Sequence, residues 1–70
     1  MPIYSLNKDT SCRIVSIPNV SLLESLGIRK GIKVKLKNKQ PLGGPVVVQM
    51  GTRNIAIGRD IANQIMVEVI

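Results

Sequence analysis

From Lys33 to Lys39 every second residue is a lysine, with Val34, Leu36 and Asn38 filling the places between and Ile32 leading in. Side chains two residues apart in an extended chain project to the same side, so the segment reads as a β-strand with one oily and one cationic face. Lys33, Lys35, Lys37 and Lys39 are expected to form a solvent-facing row with a step of about 6.6 Å. A chain carrying such a strand shows its function on the outside of a small β-fold.

The rest of the composition narrows the interior. The 70 residues include no Phe, no Trp and a single tyrosine, Tyr4. A domain of this length hides only about 60% of its unfolded surface, so a core of Ile, Val, Leu and Met must pack closely. One domain spanning residues 1–70 is expected. The net charge of +6 favours acidic partners: nucleic acid, an anionic membrane surface or an acidic protein face. Cys12 is the only cysteine; it can form no internal disulfide and reads as a small buried apolar group rather than a reactive thiol. No apolar run reaches the roughly 18 residues of a membrane span, and the N-terminus lacks the blocks of a signal peptide. A cytoplasmic protein is expected.

Along the chain, Cys12 to Ile17 predicts a first strand, which Pro18 stops. Ser21-Leu22-Leu23-Glu24 fits a capping box, which would start a short helix at Leu22. Gly27 followed by Ile28 predicts a Schellman ending. Leu22 and Leu26 lie one turn apart on one face, which leaves Leu23 as the leucine expected to be partly exposed. Arg29-Lys30-Gly31 is a tight turn into the lysine strand, with positive φ at Gly31. After the turn-rich Gln40 to Pro45, Val46, Val48 and Met50 share one strand face. Gly51-Thr52-Arg53 turns the chain into Asn54 to Ile57, where Ile55 and Ile57 point together, and Gly58 ends that strand. Arg59 to Gln64 predicts a single helical turn with Asp60 at its start. Ile65, Val67 and Val69 then alternate with Met66, Glu68 and Ile70. Five short strands, one short helix after the first and a one-turn helix before the last predict an all-β, SH3-like small barrel, whose closure would remove exposed edges.

Leu26-Gly27-Ile28, Gly31, Val34, Pro41-Leu42-Gly43-Gly44-Pro45, Gly51, Ile55-Ala56-Ile57, Ala62, Ile65 and Val67 fall in an order that resembles the FeoA family from about Cys12 to the C-terminus. The chain departs from that family at Gly58, where members often carry a larger, frequently basic residue. The resemblance implies an SH3-like cytoplasmic domain that accompanies the membrane ferrous-iron transporter FeoB. Similar domains end some iron-dependent repressors, but the free-standing length favours the transporter partner.

The residues themselves argue for recognition rather than chemistry. There is no His, Cys12 is alone, and Asp9, Glu24, Asp60 and Glu68 are scattered, so no metal site, cofactor or catalytic group is expected. Gly43-Gly44 lacks the P-loop context and holds no nucleotide; it reads as a turn with flexible glycines. Lysines on an outer strand commonly serve solubility and discourage edge pairing. Their functional reading is a docking stripe of Lys33, Lys35, Lys37 and Lys39, joined by Arg53 and Arg59, around apolar contacts at Leu23 and Leu42. The leading expectation is therefore a non-enzymatic accessory that docks on FeoB and modulates it, with no small-molecule substrate and no membrane contact except through the transporter. The alternative is a basic barrel that binds nucleic acid without sequence preference, for which only Tyr4 could stack a base. A third reading is self-assembly through the aliphatic C-terminal strand.

Overall fold

A computed structural model describes residues 1–70. A 3₁₀ turn, Ile3–Ser5, precedes β1 (Thr10–Ser16), α1 (Ser21–Ser25), β2 (Lys33–Lys39), β3 (Val46–Met50), β4 (Arg53–Ile57), α2 (Arg59–Ala62) and β5 (Met66–Val69). The strands form one sheet in the order β4-β3-β2-β1-β5, every neighbouring pair antiparallel. This is the expected five-stranded arrangement, with α1 after the first strand and α2 before the last.

Closure differs from expectation. No ladder joins β4 to β5; β5 pairs with β1, whose other flank holds β2. The outer edge of β5 is covered instead by the N-terminus. Val67 N–H donates to the Met1 carbonyl at 2.8 Å, Ile3 N–H to the Ile65 carbonyl at 2.8 Å, and the Met1 ammonium to the Val67 carbonyl at 3.1 Å. The sequence patterns assign nothing to this segment, yet it contributes Ile3 and Leu6 to the core.

All fourteen buried side chains belong to the hydrophobic core, with no buried polar or charged residue among them. Cys12 and Ile14, Val34 and Leu36, Val46 and Val48, Ile57, and Val67 supply the inward positions of the five strands. Val69, expected to share the inward face of Val67, is more than half exposed because the last strand runs past the end of the core.

Two expectations about α1 fail for one reason. The N-cap is Val20, with extended backbone and no side-chain cap, and Ser21 is already helical, so the Ser21–Glu24 capping box does not form. Leu23 is buried to 2% exposure while Leu22 is 62% exposed. Burying a leucine is worth roughly 2 kcal/mol against about 1 for a cap. The helix therefore takes the phase that sends Val20 and Leu23 inward. Its end is the predicted Schellman motif: Gly27 has φ 83°, Gly27 N–H donates to the Glu24 carbonyl at 3.0 Å and Ile28 N–H to the Leu23 carbonyl at 2.9 Å. That motif pairs Ile28 with Leu23 as its apolar contact, and both are in the core.

The lysine strand is also interrupted. Leu36 pairs with Val48 but Asn38 pairs with Val47 and Lys39 with Val46, so Lys37 is the extra residue of a β-bulge. Opposed residues of an antiparallel ladder share a face, and Val46 is buried. Lys39 is thereby turned to the rim of the inward face, away from the row of Lys33 and Lys35.

Candidate functional site

The eight residues expected to bind a partner do not form one surface. Leu23 is in the core and is removed from the set. Lys33 and Lys35 stay on the outer face of the sheet, where Lys33 opposes Arg13 and Lys35 opposes Ser11 on one side and Gln49 on the other. Glu68, next across the sheet from Arg13, approaches its guanidinium at 4.0 Å and relieves the Arg13–Lys33 repulsion. With Ser11, Gln49 and Gly51, the two lysines line a shallow depression of about 230 Å³, which holds no opposing acid. Lys37 sits half-buried in the bulge. Arg53 is at the far end of α1, where its Nη2 donates to the Leu26 carbonyl at 3.2 Å. There it satisfies a helix C-terminus, a position that favours a cation.

Lys39, Leu42 and Arg59 are brought together, and the loop between β2 and β3 is the reason. Gln40 N–H donates to the Pro45 carbonyl at 3.0 Å and Gly44 N–H to the Pro41 carbonyl at 3.4 Å. Leu42 and Gly43, the central pair, have φ 60° and 78°, the φ signature of a type I′ turn. A Cβ on Gly43 would meet the Arg59 guanidinium at 2.7 Å, and one on Gly44 would meet the Gln40 Cβ at 2.6 Å. The double glycine forms the expected turn, and Arg59 and Gln40 approach it closely. Tyr4 fixes the base of the loop, its hydroxyl donating to the Gly44 carbonyl at 3.0 Å. The Lys39 ammonium lies 5.2 Å from the centre of the Tyr4 ring, a cation–π distance.

Leu42 at the tip is fully exposed. A leucine with positive φ costs about 1–2 kcal/mol in Cβ–carbonyl crowding, and asparagine, aspartate or glycine is the usual occupant of this turn position. Here the strained residue packs against nothing in its own chain. Backbone strain of this kind clusters at functional positions, which makes Leu42 a candidate contact residue. The candidate site is therefore an apolar tip, Leu42, on a cationic seat of Lys39 and Arg59, anchored by Tyr4. Sequence reasoning named the first three and missed Tyr4. Its signal was its status as the only aromatic residue in a chain that had to build its core without rings.

No group of three or more His, Cys, Asp or Glu side chains gathers anywhere. Cys12 is buried, and desolvation raises its thiol pKa, which makes it a weaker nucleophile and ligand. No helix is long and apolar enough to cross a membrane.

A family model described as the FeoA domain matches residues 1–69, so the likeness takes in the N-terminal segment as well as the region from Cys12. A protein of Methanocaldococcus jannaschii provisionally named Fe(2+) transport protein A is 48% identical over 46 residues, which are 66% of this chain and 54% of that protein. The chain thus spans about half the length of that relative. Among solved structures, an iron uptake regulatory protein, FeoA, superposes with a TM-score of 0.89 at 25% identity, covering 100% of this chain and 96% of the other. FeoA of Stenotrophomonas maltophilia, a procaryotic SH3 domain protein crystallised with zinc, superposes with a TM-score of 0.81 at 28% identity, covering 97% and 89%.

Proposed function

This chain belongs to the FeoA family, and from that premise we propose that it is a non-enzymatic, cytoplasmic accessory of ferrous-iron transport that docks on FeoB and modulates it. The observation that carries the docking mode is the strained, fully exposed Leu42 on the Lys39–Arg59 seat. An apolar anchor inside a cationic rim fits an apolar pocket with an acidic rim. The relatives support the physiological context: one is named for Fe(2+) transport, and the S. maltophilia protein has been put forward as a ferrous iron transport activating factor. Modulation would follow from unequal affinity for two conformations of the transporter, since a partner shifts an equilibrium only by its differential binding.

The nucleic-acid reading is weakened at its one platform. The Tyr4 hydroxyl is engaged by Gly44, its ring packs against the core and the Lys39 ammonium sits over it, which makes it a poor platform for stacking a base. Titrating the chain against intact FeoB, its isolated GTPase portion, and single- and double-stranded oligonucleotides decides between the readings. Association with FeoB or its GTPase portion that weakens with salt is expected. Absence of association with either, with and without nucleotide, or oligonucleotide binding of micromolar affinity at physiological salt, would overturn the proposal.

A further inference from the structure

The two edges of the sheet are treated differently. The β5 edge is capped by Met1 to Ile3, whereas β4 pairs only with β3. The β3–β4 ladder runs without a bulge from Met50↔Arg53 to Val46↔Ile57, unlike β1–β5 and β2–β3. A hairpin closed by the two-residue loop Gly51-Thr52 makes Met50 and Arg53 a hydrogen-bonded pair. Alternation then gives the main-chain groups of Ile55 and Ile57 to β3 as well, and turns those of Asn54 and Ala56 outward. None of the 21 main-chain bonds outside regular elements uses Asn54 or Ala56, and both residues are exposed. The usual protections of an edge, a proline, a bulge or an inward charge, are absent between Asn54 and Ile57.

We propose that the β4 edge takes up an extended, acidic segment of a partner protein as a sixth strand, bonded to the main chain of Asn54 and Ala56. Arg53 opens the strand and Arg59 follows its end by two residues, so a cation stands at each end of the edge. Arg53 gives one donor to Leu26 and keeps the rest of its guanidinium fork for a carboxylate. The same charges exclude a second copy as the occupant. Antiparallel self-pairing of β4 would bring the Arg53 end of one copy against the Arg59 end of the other, on molecules that each carry +6. Main-chain bonding of this type supplies affinity without demanding a particular side-chain sequence, so the acidic ends give the segment its selectivity. This surface shares Arg59 with the Leu42 site but is otherwise separate from it, since its bonds are made by the main chain of β4.

The test is residue-resolved amide exchange of the full chain with and without a short capped peptide, glutamate at each end and alternating threonine and valine between. At millimolar peptide, exchange at Asn54 and Ala56 should slow by about tenfold while the β2 amides are unchanged. High salt should weaken the effect. Ala56→Pro removes only an outward N–H, so it should fold normally and bind the peptide about tenfold more weakly. Unaltered exchange at Asn54 and Ala56, equal binding by A56P, or unfolding of A56P, which would show that N–H engaged within the fold, each overturns the proposal. So does protection that appears without peptide and grows with protein concentration, because a second copy would then be the occupant.

Discussion

Four residues separate what holds this molecule together from what it presents. Leu42→Asn puts a residue that tolerates the left-handed region into a turn position that prefers it. It should raise stability by about 1 kcal/mol in urea denaturation while weakening partner binding, a combination that a structural role for Leu42 could not produce. Leu23→Ala should cost about 3 kcal/mol, a large share of the stability of so small a domain, whereas Leu22→Ala should stay within about 0.5. Cys12 gives a pH test. Burial raises its thiol pKa above the ordinary 9.0, so the folded chain holds this proton more tightly than the unfolded one. Its contribution is complete below pH 9.0 and is lost as the pH rises from there through the folded value. The stability difference between the wild-type and Cys12→Ala chains should therefore shrink above that pH, and a difference independent of pH would contradict the burial.

At the scale of elements, legibility followed from how local the determining interaction is. The Schellman end of α1 was readable because Gly27 and Ile28 encode it within a few residues. The start of the same helix was not, because a local capping box competed with burial of Val20 and Leu23 against strands distant in sequence. The alternation of β2 was visible through Leu36, but the bulge at Lys37 arises from pairing with β3, and no property of Lys37 alone announces it. That hidden bulge decides which lysines can act together: Lys39 joins Leu42 and Arg59 while Lys33 and Lys35 face elsewhere. Gly27→Ala tests the helix end. It places a Cβ at φ 83° and 3.1 Å from the Arg53 guanidinium, and should cost about 1–2 kcal/mol in thermal or urea unfolding. A neutral result would mean that the ending forms without its left-handed residue.

For the molecule as a whole, the SH3-like fold was legible because five strands and their turns are each written in a short stretch of sequence. The manner in which the sheet ends was not. The N-terminal cover on β5 depends on Met1 to Ile3 meeting Ile65 and Val67, a contact across the full length of the chain. With a charge of +6, the molecule should associate faster with an acidic partner at low salt. The most direct test is the affinity of FeoB in membranes for the wild-type chain and for Leu42→Asn, with folding stability measured on the same samples. At least about tenfold weaker binding by Leu42→Asn, with stability equal or higher, is the predicted result. Unchanged affinity in a stable variant would contradict recognition through the loop tip.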